Sequence, residues 1–255
     1  MLKILLSNDD GVDAPGIASL YNNLVDIAEL FVVAPAINQS GAGCSITTNR
    51  PLKVKKFKEN FISVNGKPSD CVHLGVHELS PWKPDLIISG INLGANMAED
   101  LLYSGTVGAA LEGMSMGIPS IAVSAAAFEQ PGSVNLMEPN YETAARVMKD
   151  IVLGLDLSRI GSSSCLNINV PNITYSEDIK KVNTFPGTWG KRNPPHIKES
   201  SKGATEYWTS HRGNYPINEK NSDIATLEKN EISITAIKPN FNFNTEDLLA
   251  RWMNI

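Results

Sequence analysis

The sequence predicts an α/β fold, in which a mostly parallel sheet forms the middle of three layers between helices. In the first half of the chain, short apolar runs alternate with segments of helical spacing, and the apolar runs end in polar loops punctuated by glycine. Because parallel strands need crossover connections, this alternation is typical of right-handed βαβ units on one sheet. The 255 residues are enough for one large domain with an extension.

The predicted elements follow one another regularly up to residue 172, where we expect the core of a single 1–255 domain to end. Strands are predicted at 4–6, 30–34, 86–88, 118–123 and 165–170, and helices at 17–27, 70–79, 105–116 and 141–155. Residues 52–58 alternate apolar residues with lysine, which predicts an edge strand with one face in water.

Residues 173–255 have a different composition and are predicted to form an extension. From Thr184 to Tyr215 the chain is rich in Gly, Pro, Asn and charge, with a strand-like island at 207–209, so we expect an extended arm or hairpin. Strand character returns at 223–237, and a terminal helix is predicted from Asn244 or Thr245 to near Trp252. Exposed aromatic residues on such an arm would suit a partner subunit.

The bulk composition excludes several classes of partner. A formal net charge of -5 gives no support for binding a nucleic-acid polymer. The three cysteines, Cys44, Cys71 and Cys165, are widely spaced and form no C-x-x-C pair, so neither a zinc ribbon nor a disulfide framework is indicated. The first apolar run meets acid at Asp9 and is too short for a signal peptide or a membrane span. We therefore expect a cytoplasmic protein without a membrane partner.

An acidic pair follows the first predicted strand. Asp9 and Asp10 stand at its exit and precede Gly11, which permits a tight turn. Two adjacent carboxylates at the end of a buried strand are costly unless a cation or hydrogen-bond donors compensate them. In an open α/β sheet ligands bind at this edge, so the pair favours an oxygen-ligated cation such as Mg²⁺ or Mn²⁺. The alternative is that Asp10 caps the next helix and Asp9 is solvated in a turn.

Two further strand ends carry polar groups that suit the same edge. After the second strand, Ser40 and Gly41 lie in a loop of small residues, where a hydroxyl and backbone N–H groups can approach a metal or an anion. This loop is not a Walker loop, and a plain flexible turn is the alternative. After the strand at 86–88, Asn92 offers an amide oxygen to a hard cation or to a phosphate group.

A helix entry offers groups that bind anions. Ser104, Gly105 and Thr106 lead into a helix of small residues, so two hydroxyls, backbone N–H groups and the positive end of a helix dipole come together. The alternative is an ordinary Ser or Thr N-cap on a closely packed helix.

In their order along the chain, these motifs resemble the survival protein SurE family of metal-dependent 5′/3′-nucleotidases. The similarity covers nearly the whole chain and is weakest from about 173 to 222. The motifs that carry it are Ser7-Asn8-Asp9-Asp10-Gly11, Val33-Ala34-Pro35 with Ser40-Gly41, Gly66-Lys67-Pro68-Ser69-Asp70-Cys71-Val72, Ser89-Gly90-Ile91-Asn92, Tyr103-Ser104-Gly105-Thr106-Val107 with Glu112-Gly113, Leu166-Asn167-Ile168-Asn169-Val170-Pro171 and Ser222-Asp223-Ile224-Ala225.

The resemblance implies a Rossmann-like core with a C-terminal extension, together with an activity, a cofactor and an assembly. The implied activity is hydrolysis of nucleoside monophosphates with one divalent metal ion per subunit, Mg²⁺ or Mn²⁺ first and Ca²⁺ as a further candidate. The implied assembly is a homodimer or homotetramer that exchanges elements of the extension. The implied metal ligands are Asp9, Asp10, Ser40 and Asn92. The residues implied around the phosphoryl group are Gly41, Asn92, Ser104, Gly105 and Thr106, with Asn96 nearby as a further catalytic residue. Ala95 departs from a frequent proline and bears on loop shape.

The spacing of the acids favours attack by water over attack by an aspartate, because the side chains of adjacent residues diverge in an extended segment. Two alternatives to a hydrolase remain. A phosphoryl-receiving regulatory module needs an aspartate at the carboxyl end of its third strand, whereas Asp85 precedes the strand at 86–88. A nucleotide- or phosphate-binding protein on the same fold that lost hydrolysis is the other. His73 and His77 are one helical turn apart and are interpreted as a helix surface rather than a zinc site.

Overall fold

The computed structural model of the chain describes residues 1–127, 137–159, 164–199, 205–209 and 219–238. Within these ranges a nine-stranded sheet forms the centre and two further strands pair separately. The strands of the main sheet are β1 (Leu2–Ser7), β2 (Ala28–Pro35), β3 (Val54–Lys58), β4 (Phe61–Val64), β5 (Leu86–Leu93), β6 (Ser120–Ala125), β7 (Cys165–Val170), β8 (Lys181–Thr184) and β11 (Ile232–Ile237), and the separate pair is β9 (His196–Glu199) with β10 (Thr205–Trp208).

Helices cover both faces of the main sheet, as the sequence predicts. They are α1 (Pro15–Leu24), α2 (Pro68–Leu74), α3 (Gly105–Ser115), α4 (Tyr141–Gly154) and α5 (Asp223–Leu227). The apolar residues of α1 and α4 pack with Ile4 and Leu6 of β1 on one face. Those of α2 and α3 pack with Leu5 on the other face. The alternation of side chains along β1 therefore supplies both layers of the core, which confirms the predicted three-layer α/β fold.

The strand order places a crevice at the middle of the sheet. The order is β3-β4-β2-β1-β5-β6-β7-β11-β8, and the strands from β4 to β7 run parallel. The chain moves outward from β1 through β2 to β4, and then crosses back to β5 on the other side of β1. The carboxyl ends of β1 and β5 thus flank the topological switch point, where open α/β sheets bind their ligands.

Several boundaries differ from the sequence prediction. β5 continues to Leu93, and the helix predicted at 70–79 ends at Leu74 and is followed by a wider turn over Gly75–Leu79. β4 was not predicted, because four residues are too few for a periodic pattern to stand out. The edge strand at β3 is confirmed, but all five of its residues are exposed, so the expectation of one buried face is wrong. The exposure of all five residues means that no described part of the chain covers either face of β3.

The chain beyond residue 172 contributes to the main sheet as well as to an arm. β11 pairs antiparallel with β7 and parallel with β8. The predicted strand at 223–237 is wrong in its first part, because Ser222 caps the short helix α5 with a hydroxyl that accepts from the N–H of Ala225 at 3.2 Å. The predicted hairpin is present as the antiparallel pair β9–β10. The predicted terminal helix lies outside the described residues.

Candidate active site at the switch point

A tight turn carries the acidic pair at the end of β1. Asn8 closes this turn on both sides: its Nδ2 donates to the carbonyl of Gly11 at 2.8 Å, and its Oδ1 accepts from the N–H of Gly11 at 3.2 Å. Gly11 has a φ of 120°, a conformation that strongly favours glycine. The turn therefore presents Asp9 and Asp10 at the carboxyl end of the sheet. The role of Asn8 was not predicted, although an Asn followed three residues later by Gly is a turn signal.

The carboxylate of Asp9 lies at the N-terminus of α3. Its Oδ1 accepts a hydrogen bond from the hydroxyl of Thr106 at 2.5 Å, and it also interacts with the backbone N–H groups of Gly105 and Thr106. Asp9 is buried, and burial raises its pKa more than these donors lower it. The Thr106 hydroxyl has one proton, which is donated to Asp9. Thr106 therefore positions Asp9, a contact that the sequence analysis did not predict.

Gly105 is required by the closeness of α3 to Asp9. A Cβ atom at this position would lie 2.8 Å from the Cβ and 2.9 Å from the Oδ2 of Asp9. Real Cβ atoms do not approach other heavy atoms this closely, so any larger residue would displace the carboxylate or the helix end.

Asp10 is the more accessible member of the pair. Its Oδ2 accepts from the N–H of Leu93 at 3.1 Å, which links the end of β1 to the end of β5. Burial, followed by the charge of Asp9, raises the pKa of Asp10 to about 6. Among the described residues, neither carboxylate takes part in a salt bridge. Two close carboxylates without a protein cation form an oxygen donor set that suits a divalent metal ion.

Asn92 stands beside the acidic pair on β5. Its Nδ2 donates to the carbonyl of Gly94 at 2.7 Å, so the amide nitrogen is engaged and the amide oxygen is the atom suited to ligation. Ser7 and Ser89 are register partners where β1 and β5 run side by side. The structure thus brings Asn92 and Asp10 to neighbouring strand ends, as the sequence predicts.

The loop after β2 joins the site through its backbone. The N–H of Gln39 donates to the carbonyl of Asp9 at 2.7 Å, and the Lys67 ammonium donates to the Gln39 side chain at 2.8 Å. The N–H of Gly43 donates to the carbonyl of Tyr103 at 2.9 Å, which connects this loop to the entry of α3. Ser40 and Gly41 lie between these ties and are exposed, so their groups face solvent at the site.

Ser104 is the N-cap of α3, which was the alternative to an anion-binding role in the sequence analysis. Its Oγ accepts from the N–H of Val107 at 3.1 Å. A hydroxyl that accepts as an N-cap keeps its own proton for donation. The N-cap role and an anion-binding role for Ser104 are therefore compatible.

Asn96 lies beneath the site rather than on its open surface. Its side-chain Nδ2 donates to Ser124 at 2.9 Å, and its backbone carbonyl accepts from Asn167 and Asn169, each at 2.9 Å. Asn169 also accepts from the N–H of Asn96 at 2.8 Å. The part played by Asn167 and Asn169 was not predicted, although polar residues that alternate with apolar ones in a buried strand are an available signal.

Other candidate groups lie elsewhere. His73 contacts Glu112 at 2.9 Å and its ring lies 4.8 Å from that of His77, on the exposed side of α2. Asp85 is at the amino end of β5, where its Oδ2 accepts from the N–H of Lys3 at 2.9 Å, so the phosphoacceptor of a receiver module has no counterpart there. Within the described ranges, no cluster of three or more His, Cys, Asp or Glu residues could hold a metal, and no helix could span a membrane.

Comparisons with known proteins agree on one family. The profile of the family described as Survival protein SurE matches residues 4–191. The chain is 42% identical over 237 residues to 5′-nucleotidase SurE of Nitrosomonas eutropha, covering 93% of each chain. It is 39% identical to 5′-nucleotidase SurE of Idiomarina loihiensis, covering 99% of this chain and 98% of the other. The crystal structure of SurE protein from Aquifex aeolicus superposes with a TM-score of 0.79 at 37% identity, covering 98% of each chain.

Proposed function

The chain belongs to the survival protein SurE family, and we propose that it is a divalent-metal-dependent phosphomonoesterase. Its proposed substrates are nucleoside 5′- or 3′-monophosphates, which it hydrolyses to nucleoside and phosphate. The 5′-nucleotidase names of the relatives support this activity. The single observation that carries the proposal is the pair of carboxylates at the switch point: Asp9 is buried, Asp10 is partly buried, and neither forms a salt bridge among the described residues.

The proposed metal ligands are Asp9, Asp10, Ser40 and Asn92. We propose that they hold one Mg²⁺ or Mn²⁺ per subunit, with Ca²⁺ as a further candidate, since all four supply oxygen atoms. When bound, such an ion would polarise a phosphoryl oxygen and make a coordinated water more acidic.

The residues of the chain would prepare this site in distinct ways. Thr106 and the N–H groups of α3 fix the carboxylate of Asp9. The Gly94 carbonyl accepts from the amide nitrogen of Asn92 and so orients its amide group. We assign the attack to water rather than to Asp9. The Asp9 carboxylate is fixed by its hydrogen-bond donors, as suits a metal ligand. A fixed carboxylate needs no reorganisation as the reaction proceeds, which is the physical basis of catalysis by a preorganised site.

The phosphoryl group would lie between the Ser40 loop and the entry of α3. In this position the Ser104 hydroxyl and the backbone N–H of Gly41 would donate to its oxygens, and Asn92 and Gly105 at the start of α3 would lie beside it. The positive end of the α3 dipole adds a favourable field for an anion. Thr106 would act on the same site through Asp9, and Asn96 would act through its own loop after β5, which it anchors to β7.

Phosphate release from a panel of nucleoside 5′- and 3′-monophosphates tests the proposal, with Mg²⁺ or Mn²⁺ and with a chelator. Release should require metal, be lost with the chelator, and be lost in Asp10→Ala while the exposed control Asp178→Ala keeps it. Absence of release with every nucleotide and metal, from a folded protein, would overturn the hydrolase and support a non-catalytic binding role on the same fold.

We also propose a homodimer or homotetramer assembled through the arm. The support is the hairpin β9–β10, which stands apart from the main sheet and exposes large apolar residues: Ile197, Tyr207 and Trp208 are 58%, 63% and 67% exposed. Light scattering during gel filtration should report an oligomer for the native chain and a smaller species for the double variant Tyr207→Ser, Trp208→Ser. An unchanged mass would contradict the arm as the interface.

A cytoplasmic location completes the proposal. The cysteines Cys44, Cys71 and Cys165 are free thiols, and burial raises the pKa of Cys71 and Cys165. Unpaired cysteines suit a reducing compartment.

A further inference from the structure

The segment that joins β5 to α3 is held by several hydrogen bonds to other parts of the fold. Near its start, the N–H of Leu93 donates to Asp10, and the N–H of Gly94 donates to the carbonyl of Ala125 at 2.9 Å. At its centre, Asn96 is clamped by the asparagines of β7. These anchors come from the core of the domain. The segment Leu93–Glu99, which we name the clamp loop, directly follows the proposed ligand Asn92.

The second half of the clamp loop is anchored by the extension beyond residue 172. Asp223, at the start of α5, is fully buried, and its Oδ2 accepts from the N–H of Ala98 at 2.9 Å. Its Oδ1 accepts from the N–H groups of Gly187 and Ile224, both at 2.8 Å. One carboxylate therefore joins the clamp loop, the segment after β8 and α5.

A second polar tie and an apolar cluster lie beside Asp223. The N–H of Trp189 donates to the carboxylate of Glu99 at 3.0 Å. Residues of the clamp loop and of the extension also share one apolar cluster, which consists of Ala95, Met97, Ala98, Ala126, Trp189, Ile224 and Leu227. The extension thus packs on the clamp loop in addition to the asparagines of β7.

The backbone at the tie is in a costly conformation. Ala98 has a φ of 49°, in the left-handed region that non-glycine residues rarely adopt. Such a residue persists only where its surroundings fix it, and these residues cluster at functional sites. A buried carboxylate is also an expensive way to join two segments when apolar packing would serve. Both costs are concentrated where the extension meets the clamp loop.

We propose that Asp223 is a positioning residue for the metal and phosphate site, an inference that rests on the proposed function. By holding Ala98 in its left-handed conformation, Asp223 fixes the far end of the clamp loop. The near end, which orients Asn92 and contacts Asp10, is then preorganised. The extension is in this account a part of the active site of its own chain, in addition to any role in assembly.

The variant Asp223→Asn tests this role with little change in volume. If its amide oxygen keeps the bonds to Gly187 and Ile224, its NH₂ group faces the N–H of Ala98, donor against donor. The matched control is Ser222→Ala, which removes the cap of the same helix without touching the contact with Ala98. Both variants weaken the seating of α5, but only Asp223→Asn breaks the tie to the clamp loop.

Three quantities are measured on the full chain: Mn²⁺ binding followed by the EPR signal of free Mn²⁺, the separate values of kcat and KM, and the melting temperature. Asp223→Asn should weaken Mn²⁺ binding and lower kcat at saturating metal, each by about tenfold, with KM for the nucleotide nearly unchanged. Ser222→Ala should lower the melting temperature while Mn²⁺ affinity and kcat stay close to the native values.

Native Mn²⁺ affinity and kcat in Asp223→Asn would overturn the proposal. Equal losses in Ser222→Ala would also overturn it, because destabilisation of α5 alone would then explain the effect. The Mn²⁺ measurement needs no substrate, so it still decides the role of Asp223 if the native chain releases no phosphate from any nucleotide.

Discussion

The candidate site is supported by two regions that work over very different sequence distances. In the doubly wound core, Asp9, Asp10 and Asn92 each lie within a few residues of a strand end, and the strand order alone brings them together. In the extension, Asp223 reaches the clamp loop through a hydrogen bond to Ala98, 125 residues away in sequence. The core thus contains the side chains of the candidate site, and the extension restrains the clamp loop beside them. Variants in the two regions should separate the loss of a chemical group from the loss of its position or of stability.

The largest effect is expected from Asp9→Asn, in the core. This variant keeps the shape of the side chain and removes the charge that the proposed metal needs. We expect kcat to fall by far more than the 10- to 100-fold typical of residues around a metal ligand, roughly 1,000-fold or more. Steady-state phosphate release at saturating Mn²⁺ measures it, with circular dichroism to confirm the fold. Near-native rates would refute the ligand assignment.

Gly105→Ala tests position without removing any functional group. The added Cβ would stand 2.8 Å from the Cβ of Asp9 and force the carboxylate or the end of α3 to move. A displacement of about 1 Å at a reacting centre costs on the order of 100-fold in rate, so we expect kcat/KM to fall by about that factor. Gly154→Ala, at the end of α4 with no atom within 4 Å of its added Cβ, is the control and should keep native activity. A fully active Gly105→Ala variant would show that Asp9 needs no such support.

Thr184→Val tests a part of the extension that stabilises without positioning. The buried hydroxyl of Thr184 pairs with those of Ser233 at 2.8 Å and Thr235 at 2.7 Å, between β8 and β11. Valine has nearly the same shape but leaves both partners without this hydrogen bond, at a cost of about 1–3 kcal/mol in unfolding free energy. Chemical denaturation should detect the loss, while kcat at a temperature below the transition stays native. If kcat fell together with the unfolding free energy, the whole extension, and not Asp223 alone, would control the site.

Asp10→Asn should separate stability from activity in the core. The ordinary pKa of Asp10, 3.8, is raised to about 6 in the fold. The folded protein therefore favours the neutral form, and the charge lowers stability progressively as the pH rises from about 4 to above 6. In the metal-free protein at pH 7, removing this charge should raise the unfolding free energy by about 1 kcal/mol after allowance for screening.

Melting curves of metal-free native and Asp10→Asn protein, recorded from pH 4 to pH 7.5, measure this gain. The two melting temperatures should draw closer towards pH 4, where Asp10 is neutral in the folded protein and partly protonated in the unfolded chain, and separate as the pH rises. A lower melting temperature for Asp10→Asn at every pH would contradict the unfavourable burial of this charge.

The sequence predicted those features that depend on neighbouring residues. The strands of the parallel sheet, the acidic turn and the helix entry at Ser104 are local patterns, and the sheet topology brings them to one edge. Contacts between distant segments were not predicted. Thr106 donates to Asp9 across 97 residues, and Asp223 accepts from Ala98 across 125 residues. No spacing rule in the sequence connects positions so far apart. The helix α5 differs from the predicted strand because five residues show too little periodicity to distinguish the two.

The central claim is that Asp9 and Asp10 form one divalent-metal site at the switch point of the sheet. The most direct test is a Mn²⁺ titration of metal-free protein, followed by EPR or calorimetry, on the native chain and on Asp9→Asn and Asp10→Asn. The account predicts one Mn²⁺ per chain, displaced by excess Mg²⁺, and strongly weakened binding in both variants. Native binding in both variants, or no binding in the native chain, would contradict it.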